Sequence, residues 1–154
     1  QEKKYHHKVI GCNSRLDTLQ AAILDVKLKY LREYSAHRYQ AAQKYTAGLS
    51  TLEGVITPVE SPFSTHVYHQ YTLKVLNGKR DELKNYLAQH GIATMIYYPL
   101  PLQEQEAFRP IARAGEPLVT AKRLCAEVLS LPLDTEITAE TQEYIIHKIK
   151  SFYQ

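Results

Sequence analysis

Tryptophan is absent from the 154 residues, methionine occurs once and cysteine twice. Cys12 and Cys125 lie far apart, in no CxxC and no Cys/His ligand spacing, which argues against a disulfide scaffold and against zinc. Two free thiols in a reducing cytoplasm are expected. Long hydrophobic runs are missing too. The longest, such as residues 21–24, hold about four residues against the roughly 20 of a membrane span, so no membrane partner is expected. Neither sign of charge dominates: 19 Lys plus Arg against 16 Asp plus Glu leave +3, scattered along the chain, which is too mild for a nucleic-acid surface. With six Gly, seven Pro, 44% apolar and 23% charged residues the chain is neither collagenous nor disordered, and its length suits one domain that buries about 70% of its unfolded surface. The polar start, residues 1–7, is followed by no apolar signal-peptide core. The first residue is Gln and the single methionine is Met95, so the chain is expected to be a processed, trimmed or C-terminal piece of something longer. No GxGxxG, GxxxxGK[ST], HExxH or GxSxG is present, so motif chemistry declares no catalytic centre.

What the sequence does contain is periodicity. From Ser14 to about Leu52 there is no proline, and apolar residues recur at Leu16, Leu19, Ile23, Val26, Tyr30, Tyr34, Ala41, Tyr45, Leu49 and Leu52. Steps of three and four predict one long amphipathic helix with a bend near residues 34–37. Asn13-Ser14 mark its start, Asp17 sits in its first turn, and Gly54 stops it. At about 1.5 Å per residue it reaches roughly 55 Å, longer than a domain of this size is wide, so it is expected to bridge two bodies or form a subunit contact. Residues 55–59 then read as a short strand, and 66–76 alternate as a longer one with Val67, Tyr71, Leu73 and Val75 on one face. Asn77-Gly78 predicts a turn, and residues 80–90 a helix with Leu83, Tyr86 and Leu87 inward, closed by Gly91. Residues 92–98 read as another strand, ended by Pro99 and Pro101. A short helix over 118–129, an extended link at 131–133 and a helix from Ala139 to about Phe152 capped by Thr138 complete an α+β layer.

Seven histidines invite a metal reading, but adjacent His6 and His7 diverge in regular structure, and His66 and His69 fall on opposite faces of a strand. No metal is expected. Two stretches stand out. Gly11-Cys12-Asn13-Ser14-Arg15-Leu16-Asp17 puts an amide and a guanidinium at a helix start, either as an anion site or as an ordinary cap with a surface arginine. Tyr97-Tyr98-Pro99 puts two phenols on a stiff turn, either lining a polar ligand pocket or packing on alternate faces. Twelve tyrosines also suit a broad, partly polar subunit interface.

Four motifs occur in order: Tyr5-His6-His7-x-x-x-Gly11-x-Asn13-Ser14-Arg15-Leu16-Asp17, His66-Val67-Tyr68-His69-Gln70-Tyr71, Gly91-Ile92-x-Thr94-x-x-Tyr97-Tyr98-Pro99-x-Pro101-Leu102, and Leu129-Ser130-Leu131-Pro132-Leu133. Together they resemble the DegT/DnrJ/EryC1/StrS family of nucleotide-sugar aminotransferases, in its C-terminal portion. The resemblance implies a fold-type I, pyridoxal-phosphate-dependent enzyme that moves an amino group, usually from glutamate, to a keto sugar on a nucleoside diphosphate. It implies that residues 1–13 end the large domain or form its exit loop, that 14–53 form an interdomain and dimer helix, and that 54–154 form the small α+β domain. The lysine that forms the Schiff base is then expected upstream of residue 1, Lys3 and Lys4 are not that lysine, and the chain alone is expected to be inactive. By resemblance Asn13 reaches across a homodimer to the cofactor phosphate and Arg15 supports it. Tyr97, Tyr98 and Gln103 face the sugar nucleotide. Relatives often carry Pro-Leu-His-x-Gln where this chain has Leu102-Gln103-Glu104-Gln105, which swaps an imidazole for an amide that still donates and accepts. The alternatives are a non-catalytic binding or regulatory module of the same fold, and a sugar dehydratase relative. A cytoplasmic place in polysaccharide or antibiotic sugar biosynthesis is expected.

Overall fold

In the computed structural model, which describes residues 4–113 and 115–154, the expected long helix is two helices. Lys3, set aside above as a Schiff-base candidate, lies outside the described residues. Helix α1 (Thr18–Leu28) starts after Asp17, whose carboxylate accepts from the Gln20 N–H at 2.8 Å, so Asp17 and not Ser14 is the cap. Helix α2 (Leu31–Leu49) follows a tight turn in which the Tyr30 N–H donates to the Lys27 carbonyl at 3.0 Å. No proline or glycine marks that break, and the 3.6-residue rhythm runs through it. Helix α2 ends five residues before Gly54, which instead takes φ +96 and turns the chain into strand β1 (Val55–Ile56).

The sheet has three antiparallel strands in the order β1-β2-β3, with β2 (Tyr71–Val75) central and β3 formed by Val128–Leu131. Tyr71 faces Leu131 and Leu73 faces Leu129, so the alternating large side chains of both strands share one face. The strand expected over 66–76 is shorter at its start because Tyr68 takes φ +45 and its N–H turns to His66 Nδ1 at 2.9 Å, which ends the ladder. The strand expected over 92–98 survives as one bridge, Met95 to Ser130, while the segment 128–131, expected as helix end and link, is the true partner of β2. Asn77 and Gly78 both take positive φ, as the turn requires, and helix α3 (Arg80–Gln89) ends at Gly91, with φ +74. Helix α4 (Val119–Glu127) leads directly into β3. Helix α5 (Ala139–Tyr153) is capped by Thr138, whose hydroxyl accepts from the Thr141 N–H at 3.2 Å.

Helices α2, α3 and α5 meet the sheet in one core built from Tyr45 and Leu49 of α2, Tyr71, Leu73 and Val75 of β2, Leu83 and Leu87 of α3, and Ile145 and Ile149 of α5. Helix α1 takes no part: it has no buried residue, and Leu19 is 73% exposed and Ile23 53%. Burying those side chains would favour association by about 25 cal/mol per Å² of apolar surface, so α1 presents an unspent hydrophobic face.

Candidate functional site

The chemistry-bearing stretches around Tyr5 and around Tyr97-Tyr98 meet at one place. Tyr5 packs edge-on against Tyr97 at 5.6 Å between ring centroids and against Tyr98 at 5.2 Å, and Tyr97 and Tyr98, joined by a cis peptide, lie 5.8 Å apart. These are edge-to-face contacts, in which positive ring edges meet negative ring faces. Partial burial, then the hydrogen bond with Tyr97, pushes the Tyr5 phenol above the ordinary tyrosine range. It therefore stays a neutral donor and acceptor at physiological pH. Tyr97 is half-buried and Tyr98 is exposed, so the pair splits between wall and rim. The two rings pack against each other and against Tyr5, and Tyr97 also borders a cavity.

Two cavities flank the trio. One, of about 440 Å³, is lined by Lys4, Tyr5, Arg80, Asp81, Lys84 and Thr94. The Arg80 guanidinium is committed, donating to the Asp81 carboxylate at 2.7 Å and to the Cys125 carbonyl at 3.0 Å. Lys4 and Lys84 supply the remaining positive charge. Thr94 Oγ1, just beneath, is the single buried side-chain polar atom that lacks a partner among the described residues. The other cavity, of about 270 Å³, lies behind Tyr97 and is lined by Arg38, His69, Met95, Ser130 and Leu133. There Arg38 Nη1 donates to the carbonyls of His69 and Leu133, each at 3.1 Å, and ties the second and fourth motifs together.

The residue that organises the wall escaped the sequence reading as a site residue. Gln105 is 4% exposed; its Nε2 donates to the Tyr5 carbonyl at 2.8 Å and its Oε1 accepts from the His7 N–H at 3.0 Å. The Ala107 N–H then donates to the His7 carbonyl at 2.9 Å. The signal was present, as the last position of the Leu102-Gln103-Glu104-Gln105 stretch, but nothing local marks which of its two amides turns inward. Gln103, the site candidate of that stretch, is half-buried and lines a separate cavity of about 530 Å³ with Glu104, Pro117, Val119 and Lys122. It stands on the 3-10 turn Leu102–Glu104, which Gln105 follows as its cap, and does not join the tyrosines.

Asn13 and Arg15 are exposed and bond to nothing among the described residues. They precede the cap of α1, where the Asp17 carboxylate already occupies the positive end of the helix. Asp17 caps one N–H of the first turn, and the amide of Asn13 and the guanidinium of Arg15 stand beside that helix start. His66 is not on a strand; its ring stacks on Tyr68 at 4.0 Å.

The sequence profile of the DegT/DnrJ/EryC1/StrS aminotransferase family matches residues 1–150. Among curated relatives the chain is 44% identical over 153 residues to a "Pleiotropic regulatory protein" of Geobacillus stearothermophilus, covering 98% of this chain and 41% of that one. It is 33% identical over 150 residues to the dTDP-3-amino-3,4,6-trideoxy-alpha-D-glucose transaminase of Streptomyces venezuelae, covering 97% and 39%. In three dimensions it superposes on the crystal structure of S. venezuelae DesV in complex with a ketimine intermediate with a TM-score of 0.84 at 32% identity, covering 100% of this chain and 41% of that one. The chain thus spans about 40% of the length of the relatives it matches. With the four motifs, the fold and the profile in agreement, the chain belongs to the DegT/DnrJ/EryC1/StrS aminotransferase family.

Proposed function

We propose that this chain is the C-terminal part of a pyridoxal-phosphate-dependent sugar aminotransferase that moves an amino group, from glutamate, to a keto sugar carried on a nucleoside diphosphate. The observation that carries the reading is the convergence of Tyr5, Tyr97 and Tyr98, from two family motifs, beside a cavity with Lys4 and Lys84. Neutral phenols suit the hydroxyls of a sugar, and ammonium groups suit a diphosphate. Gln103 borders the adjoining surface as a further polar contact. Asn13 and Arg15 fit the cofactor phosphate in donor chemistry, an amide and a guanidinium with no internal partner, and on this reading they serve the partner subunit of a homodimer. The bound cofactor supplies the electron sink for transfer of the amino group. This chain's residues bind the phosphate, orient the sugar and close one wall against water. Residues 14–53 connect the small α+β domain, 54–154, to a large domain that carries the lysine, with α1 in the dimer contact. Without that domain the chain does not turn over.

Mixed dimers test this directly. Full-length subunits carrying Asn13→Ala are combined with full-length subunits whose Schiff-base lysine is removed. Contact across the dimer restores up to half the activity, because one of the two sites then holds both groups; contact within a subunit restores none. A second reading, a regulatory protein without catalysis, is favoured by the name of the Geobacillus stearothermophilus relative. It requires that the full-length chain, loaded with pyridoxal phosphate, leave glutamate unchanged.

A further inference from the structure

We infer that Gln105 is a positioning residue for the proposed substrate wall: its buried carboxamide fixes residues 5–7 so that the Tyr5 ring seats against Tyr97 and Tyr98. Tyr5 takes φ +64 in a turn, so its carbonyl and the His7 N–H lie outside any sheet ladder and need a partner that meets both. Here no strand does so. One side chain takes that place, with Nε2 donating to the Tyr5 carbonyl at 2.8 Å and Oε1 accepting from the His7 N–H at 3.0 Å. The Ala107 N–H continues the pairing onto the His7 carbonyl. These three hydrogen bonds tie the backbone of residues 5–7 to the domain, across about 100 positions of sequence. The geometry demands a donor and an acceptor at the end of a two-carbon stem. Glutamine alone supplies them in neutral form: ionised glutamate has no donor, and asparagine is one methylene short. Gln105 touches no reacting group, so it acts through Tyr5. The clamp stands whatever the ligand, and only its effect on nucleotide binding rests on the aminotransferase reading.

The test uses the full-length natural chain with 3-fluorotyrosine installed at position 5 only, read by fluorine NMR, and uridine diphosphate as the binding probe. In the parent protein the resonance is displaced from that of the free amino acid and titrates above it, as the raised Tyr5 phenol requires. In Gln105→Ala the resonance moves to the free value while the circular-dichroism melting temperature stays within a few degrees, and the probe binds about tenfold more weakly. Gln105→Glu gives the signature that a merely structural role would not: the resonance lies at the free value at neutral pH and returns to the parent position as the introduced carboxyl protonates and regains a donor. An unchanged resonance in folded Gln105→Ala, or a Gln105→Glu resonance indifferent to pH, overturns the inference. If Gln105→Ala does not fold, the Gln105→Glu titration decides. A parent protein that fails to bind the probe while the fluorine response holds removes the substrate reading and leaves the clamp standing.

Discussion

Gly54 should be the least replaceable glycine of the domain, and the reason can be separated into two parts. Its φ of +96 is unfavourable for any residue with a Cβ, and a Cβ built there would lie 2.6 Å from Tyr153 Cε1 and 3.2 Å from Cδ1 and Cζ. Gly78 and Gly91 share the positive φ, at +70 and +74, but a Cβ at either meets nothing within 4 Å. Alanine at Gly78 or Gly91 therefore carries the backbone strain alone, about 1–2 kcal/mol. At Gly54 the Tyr153 ring must also move. It gives up the hydrogen bond from its hydroxyl to the Gly54 carbonyl, 3.3 Å, worth about 1 kcal/mol, and some of its burial against the core, worth about as much again. The expected total for Gly54→Ala is about 3–4 kcal/mol, read as a shift of the urea midpoint at unchanged slope. Adding Tyr153→Ala should remove the clash, so that Gly54→Ala in that background costs only the strain. Equal costs at Gly54 and Gly91, within about 0.5 kcal/mol, would mean that the Tyr153 ring adds nothing to the cost at Gly54.

The phenol of Tyr71 is pushed up to about 12, chiefly by burial and partly offset by its hydrogen bond with Thr46, and burial pushes Tyr45 higher still. Both stay protonated in the folded chain where the unfolded chain ionises, so their contribution to stability is whole below about pH 10; the Tyr71 share is lost between pH 10 and about 12 and the Tyr45 share at higher pH still, with tyrosinate absorbance lagging accordingly and rising with unfolding. Cys12 is exposed, whereas burial and then the Glu104 charge push the Cys125 thiol up, so a chromogenic disulfide reagent at about pH 8 should label Cys12 first and Cys125 at least several-fold more slowly. Ile23→Asp on α1 should leave the urea stability of the 154-residue chain within about 0.5 kcal/mol, because Ile23 is 53% exposed there, yet lower the dimer fraction of the full-length chain in sedimentation. Leu73→Ala, at a fully buried position of β2, should cost about 3 kcal/mol in the same urea assay.

Elements fixed by local chemistry were legible in the sequence, and those fixed by distant partners were not. Helix α5 begins where the Thr138 hydroxyl meets the Thr141 N–H, and α3 ends where Gly91 can turn, and both signals lie within a few residues of what they control. Strand β3 is different: Leu129-Ser130-Leu131 is strand because Tyr71, Thr72 and Leu73 lie beside it, almost 60 residues away in sequence. The Thr72 and Ser130 hydroxyls even bond across that pair at 2.7 Å, on the face opposite the core side chains. The alternation over 66–76 promised too much strand because it shows which side chains could share a face, not that Tyr68 turns back to His66. The motifs contain Tyr97 and Tyr98 but not their meeting with Tyr5, and nothing local to residues 102–105 shows that Gln105 reaches the backbone of Tyr5 and His7. The rhythm of residues 14–52 likewise hid the turn at Tyr30, since no residue type there breaks a helix.

Whether the full-length chain accepts an amino group from glutamate can be tested in a single turnover without knowledge of the sugar. Full-length protein loaded with pyridoxal phosphate and freed of excess cofactor is mixed with L-glutamate, and 2-oxoglutarate is counted with a coupled dehydrogenase. One 2-oxoglutarate per active site, with no sugar present, is the expected result. A folded, cofactor-loaded protein that yields none contradicts the aminotransferase account and leaves the regulatory reading.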